Sequence, residues 1–188
     1  MNSIRLGKRA STLALASIFG IGAAVLSPQA AHAGSTPTNL SVTASVAANC
    51  TISTSAVAFG AYDPVVVNAS TALNGSGSVS IACTKGSAPN ITLGLGANAV
   101  ASQRNMKIIG GGADVLGYQL YQPPNTTPGT ACTFPGATVW DTSAGGTFTP
   151  TSPTTKASRL YNVCGTVTAG QDVSVGSYSD TVVATVNF

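Results

Sequence analysis

The stretch Ser179-Asp180-Thr181-Val182-Val183-Ala184-Thr185-Val186-Asn187-Phe188 alternates with a period of two. Val182, Ala184, Val186 and Phe188 fall on one face, and Thr181, Val183, Thr185 and Asn187 on the other. One face is strongly apolar and the other mixed, the pattern of a β-strand laid against a core. The same period recurs upstream. Val79, Ile81 and Cys83 alternate with Ser78, Ser80 and Ala82, and Ile91, Leu93 and Leu95 repeat the pattern. Further strands are predicted over Met106 to Ile109, Val115 to Tyr121, Ala137 to Trp140 and Leu160 to Val167. Asn74-Gly75-Ser76-Gly77 reads as a hairpin-like connection. Gln122 to Pro135 and Thr142 to Ser158, rich in Pro, Gly, Thr and Ser, read as long surface loops. Helical periodicity is nearly absent. Seven to nine short strands at this spacing predict an all-β antiparallel sandwich.

Arg5, Lys8 and Arg9 precede an apolar run from Leu13 to Leu26 and the small-residue site Ala31-His32-Ala33, the layout of a secretory signal peptide over residues 1–33. The run is too short and interrupted for a stable membrane span, and no later segment approaches ~18 apolar residues. Removing residues 1–33 from 188 leaves 155, enough for one domain. It also removes three of the eight cations and the single His. Lys85, Arg104, Lys107, Lys156 and Arg159 then balance Asp63, Asp114, Asp141, Asp172 and Asp180, a net charge of zero. Such a surface offers no clustered Lys and Arg for nucleic acid, and low charge favours association.

Cys50, Cys83, Cys132 and Cys164 are an even set in an exported chain, so two disulfides are expected. Pairing 50 with 83 and 132 with 164 would close loops each worth ~4 kcal/mol in the chain-entropy model. The crossed pairings come within about 1 kcal/mol of this, so the sequential one is preferred only because it suits neighbouring strands.

In residues 34–48, Leu40, Val42, Ala44 and Val46 alternate with Ser41, Thr43, Ser45 and Ala47 behind Gly34-Ser35-Thr36-Pro37. A flat, uncharged, apolar-faced segment of this kind is a liability unless something pairs with it. It reads either as the first strand of the domain's own sheet or as a strand donated to another subunit.

Several motifs in order resemble a known family: Ala48-Asn49-Cys50-Thr51-Ile52, Phe59-Gly60-Ala61-Tyr62-Asp63-Pro64 and Val79-Ser80-Ile81-Ala82-Cys83-Thr84. They continue with Arg104-Asn105-Met106, Leu116-Gly117-Tyr118-Gln119-Leu120-Tyr121, and Gly176-Ser177-Tyr178-Ser179-Asp180 before the strand reaching Phe188. The chain is similar to the spore coat protein U domain, which is also the pilin domain of archaic, Csu-type chaperone-usher fimbriae. The resemblance implies an incomplete immunoglobulin-like antiparallel β-sandwich over residues 49–188, completed by donor-strand exchange. The acceptor groove would run partly along Val182, Ala184, Val186 and Phe188, and Leu40, Val42, Ala44 and Val46 of the 34–48 extension would fill it. The implied partners are identical or related pilin subunits, a periplasmic chaperone and an outer-membrane usher, and the implied destination is the cell surface. A spore-coat or matrix β-sandwich protein sharing the fold, or a monomeric carbohydrate-binding module, is the alternative.

Catalytic chemistry has few residues to use. The chain contains no Glu, and its one His falls within residues 1–33. That removes Ser-His-Asp and Cys-His catalysis and His-containing zinc sites from the mature chain. The wide Cys spacing lacks the paired pattern of a zinc site, so no metal or cofactor is expected. Asp63 and Asp180 are read as turn or capping residues in preference to a glycosidase pair. Gly110-Gly111-Gly112 has no Lys-Ser/Thr after it and is read as a connection. Trp140, Tyr118, Tyr121 and Tyr161 are expected in the core, and Arg104 and Lys107 are expected as solvated charges.

Overall fold

The computed structural model describes residues 33–188; the signal-peptide reading falls on residues 1–32, outside them, and on Ala33. Two units divide the chain, Met1–Thr43 and Ala44–Phe188. In the first, residues 33–43 carry no helix or strand, and Leu40 and Val42 are 87% and 86% exposed.

The second unit holds eight strands: β1 (Cys50–Ala58), β2 (Leu73–Cys83), β3 (Asn90–Leu93), β4 (Arg104–Ile108), β5 (Val115–Tyr121), β6 (Arg159–Val167), β7 (Tyr178–Ser179) and β8 (Ala184–Asn187). Every pairing is antiparallel. Six strands form one sheet in the order β1-β2-β6-β5-β4-β7, and β3 pairs β8 in a second. There is no helix among the described residues.

Alternation decides which side chains meet. Val79, Ile81 and Cys83 of β2, Leu116, Tyr118 and Leu120 of β5, and Tyr161, Val163 and Val167 of β6 turn inward against Ile91 and Leu93 of β3. Trp140, Phe148 and Tyr161 stack through the centre with ring centroids 5.1 Å apart at each step. The Trp140 indole N–H donates to the Ile91 carbonyl at 2.9 Å, which satisfies the polar end of a fully buried ring.

Asn74 to Gly77 is not the expected hairpin connection; it lies inside β2, in register with β6 from Asn74↔Thr166 to Gly77↔Val163. The glycines serve close approach instead of a turn. A Cβ on Gly77 would lie 2.6 Å from the Ser55 carbonyl oxygen, and one on Gly75 2.7 Å from that of Ala58. There β1 crowds onto β2 through a register shift between Ser55 and Ala58.

Ala137 to Trp140 likewise forms no strand, only an isolated Tyr121↔Val139 bridge, flanked by single backbone bonds from the Gln122 N–H to the Thr138 carbonyl and from the Trp140 N–H to the Leu120 carbonyl. The two disulfides follow the sequential pairing. Cys50–Cys83 joins directly opposed residues of β1 and β2, and Cys132–Cys164 pins the 122–135 loop to β6.

Candidate functional site

The predicted strand from Ser179 to Phe188 is broken in two, because the chain changes sheets there. Tyr178 and Ser179 pair with β4 of the large sheet. From Thr181 onward the backbone pairs with the β3 side instead: the Ala97 N–H donates to the Thr181 carbonyl, the Gly94 N–H donates to the Val183 carbonyl, and β8 then pairs with β3. Asp180 sits at the crossing. Its Oδ1 accepts from the backbone N–H of Ala97 at 2.9 Å and of Asn98 at 3.2 Å, and from Asn98 Nδ2 at 3.0 Å. Its Oδ2 accepts from the Tyr118 hydroxyl at 2.7 Å. Burial, then the hydrogen bond to this carboxylate, push the Tyr118 phenol well above its ordinary value.

This crossing leaves a gap. β1 is the last strand of the large sheet and β8 has β3 on one side only, so two strand edges face one another across a cleft of about 300 Å³. Thr54 to Val57 of β1 form one lip, and Tyr178, Ser179, Asp180, Val182 and Ala184 the other. Its floor is core: Val79, Leu93, Tyr118, Leu120 and Val163.

The ladder fixes what the second lip offers. In an antiparallel strand each residue's N–H and C=O point to the same side, and alternate residues point to opposite sides. Thr181 and Val183 bond toward the β3 side, so the backbone groups of Val182, Ala184 and Val186 face the cleft. An apolar floor between two unfilled backbone edges can accept one extended strand and its alternate apolar side chains.

The predicted residues divide between the places named. Val182 and Ala184 line the cleft. Val186 is half-buried on the same face, next to the core, and Phe188 is exposed. Leu40, Val42, Ala44 and Val46 are exposed and carry no strand, Val46 being 85% exposed. Asp63 takes the expected turn role, its Oδ1 accepting from the N–H of Val65 and Val66 at 3.0 Å, which holds its carboxyl below the ordinary range.

Arg104 is a correction: it is fully buried, not solvated. Its guanidinium donates to the carbonyls of Gly94, Leu93 and Trp140 at 2.7, 3.3 and 2.7 Å and to Gln119 Oε1. These acceptors tie β4 and β5 to the end of β3. No acidic neighbour at strand spacing announces this role, which is why the sequence does not disclose it. The β1 lip was also missed, since Thr54-Ser55-Ala56 lacks the large apolar residues that mark a buried strand.

The chain is similar to known proteins in sequence and in fold. "Protein U" of Myxococcus xanthus is 34% identical over 206 residues, covering 100% of both chains. Among solved structures, one neighbour is the CsuC-CsuE chaperone-tip adhesion subunit pre-assembly complex from archaic chaperone-usher Csu pili of Acinetobacter baumannii. It has a TM-score of 0.51 and 20% identity over 76% of this chain. The present chain spans 40% of that chain's length, and the likeness is one of immunoglobulin-like fold. The model of the spore coat protein U domain matches residues 36–185, and the chain belongs to that family.

Proposed function

We propose that the chain is a structural subunit of a secreted surface fibre, a pilus or fimbria, which polymerises when the 34–48 segment of one copy enters the cleft of another. The observation that carries this reading is the cleft, where two unfilled strand edges open onto Val79, Leu93, Tyr118, Leu120 and Val163. The exposed alternation Leu40, Val42, Ala44, Val46 is of the kind that such a cleft accepts. Burying Leu40, Val42 and Val46 at ~1.5–3 kcal/mol each contributes roughly 4–9 kcal/mol before any ladder hydrogen bonds. Partner and fold are thereby coupled, since whatever binds only the folded domain stabilises it.

In this reading the chain is exported through the periplasm, a chaperone covers the cleft until assembly, and an outer-membrane usher exchanges it for the next subunit. The fibre supports adhesion or biofilm formation, and the chain is not an enzyme. Similarity over the whole length to Protein U favours a second reading, a coat or matrix layer built by the same strand exchange.

Electron microscopy and unheated SDS gels of the exported protein test the proposal. Detergent-resistant, heat-labile fibres are expected from the wild type, and monomers from a Leu40→Asp, Val42→Asp double variant. Fibres formed by that double variant would show that residues 34–48 are not the donated strand.

A further inference from the structure

The two ends of the sandwich differ in charge and polarity. At the end where β1 stops, three loops are tied together. The Gly170 N–H donates to the Asn68 carbonyl at 2.8 Å, Gln171 Nε2 to the Gly117 carbonyl at 2.8 Å, and the Ser174 N–H to Asp114 Oδ2 at 2.8 Å. This crown presents Val65, Val66 and Val67, 82%, 72% and 60% exposed, together with exposed Ile109, Val115 and Val175. A turn clamped by Asp63 and Asn68 presents the three valines: the Asn68 N–H donates to the Asp63 carbonyl at 2.7 Å and the Asp63 N–H to Asn68 Oδ1 at 2.9 Å. Asp63, Asp114 and Asp172 lie on the loops of this end, and Lys107 on β4 beside it.

The opposite end, where Cys50 pairs with Cys83, carries Lys85, Lys156 and Arg159. Lys85 follows the end of β2, Arg159 pairs with Ile81, and the Gly86 N–H donates to the Pro153 carbonyl at 2.9 Å, bringing the 151–158 loop beside it. The three remaining described charges are the buried Arg104, the crossing residue Asp180 and the loop residue Asp141. Neutral as a whole, the domain has an acidic, apolar crown and a basic base.

We infer that the crown is the seat for the base of the copy that donates its strand, so that Val65–Val67 and the three Asp residues face the exposed Lys85 and Lys156 of the next subunit, with Arg159, folded back onto the Thr151 carbonyl, adding charge behind them. This rests on the fibre reading above. Only Ala47, Ala48 and Asn49 separate Val46 from Cys50, and three residues span at most about 11 Å. The donating domain therefore abuts the mouth of the cleft. β8 runs from crown to base, since Ala184 opposes Leu93 and Asn187 opposes Asn90 near the Cys83 turn. A donor leaving at the crown runs antiparallel to β8 and brings opposite charges together. A donor leaving at the base would press two basic ends together and leave the valines bare. Exposed ion pairs add little affinity, but they select orientation and speed encounter in a salt-dependent way.

The test follows polymerisation of the mature chain from Gly34 by light scattering, with a photo-crosslinking residue at position 66 in a parallel sample. Synthetic 34–48 peptide is added as a chain terminator. The peptide is expected to stop growth of wild type and of a Val65→Ser, Val66→Ser variant alike, showing an intact cleft in both. The variant should polymerise about tenfold more slowly, and raising salt should slow the wild type several-fold. Crosslinks from position 66 should fall near Lys85 or in the 151–158 loop. Wild-type rates in the variant, or crosslinks between two crowns, overturn the inference while the fibre reading stands. If the peptide fails to stop the wild type, the fibre reading itself falls.

Discussion

The Tyr118 hydroxyl donates to Asp180 Oδ2 at 2.7 Å across the point where the C-terminal strand leaves one sheet for the other. Tyr118 belongs to the cleft floor and Asp180 to its lip, so this bond sets the position of the lip over the floor. Gly96 permits it: with φ at +94°, it leaves space that any Cβ would take from the Asp180 carboxylate.

Asp180→Ala removes the acceptor of four hydrogen bonds and leaves the Tyr118 hydroxyl without this partner. A loss of about 2–3 kcal/mol is expected in urea unfolding, with weaker binding of 34–48 peptide. Unchanged stability would show that the lip is held elsewhere.

Stability should also fall at alkaline pH. The folded-state value of Tyr118 is raised, so its contribution is fully present below the unfolded value of about 10 and is lost as pH rises above it. Tyr118→Phe should flatten the decline between pH 10 and 11. It will not abolish it, because burial also raises Tyr161 and Tyr178. An identical profile in the variant would contradict the assignment.

Gly77→Ala places a Cβ against the backbone of Ser55 and Ala56, pushing β1 off β2. A cost of about 1–3 kcal/mol is expected, measured by thermal unfolding of the oxidised protein. Ser78→Ala, one residue along, should cost less.

These glycines illustrate how far the sequence can be read. Period-two alternation disclosed β5 and nearly all of β6, because Leu116, Tyr118, Leu120, Tyr161, Val163 and Val167 all turn inward. It misread Asn74 to Gly77, since a glycine admitting a neighbouring strand looks locally like one making a turn. It treated Ser179 to Phe188 as one strand, because alternation continues through a change of sheet that only partners reveal. Of the candidate site, Val182 and Ala184 were legible as an apolar face. The β1 lip, with its small polar residues, was not.

Arg104 gives the most severe substitution. Replacing it with Ala removes the side-chain donor to the carbonyls of Leu93, Gly94 and Trp140, leaves Gln119 Oε1 only the Leu120 N–H and opens a cavity, a loss of about 3 kcal/mol or more. Arg104→Lys should recover only part of this, because one ammonium cannot match the planar fork. Chemical denaturation of the three proteins gives the order, and equal stability of Lys and Arg would refute a geometric role.

The most direct measurement is the thermal melt of oxidised protein lacking residues 34–48, with and without a peptide of that sequence. A low melting temperature that rises by many degrees on adding peptide is expected, with no rise for a peptide carrying Asp at the Leu40 and Val42 positions. A domain already stable without the segment and indifferent to the peptide would contradict strand donation, and would describe a self-complete binding module.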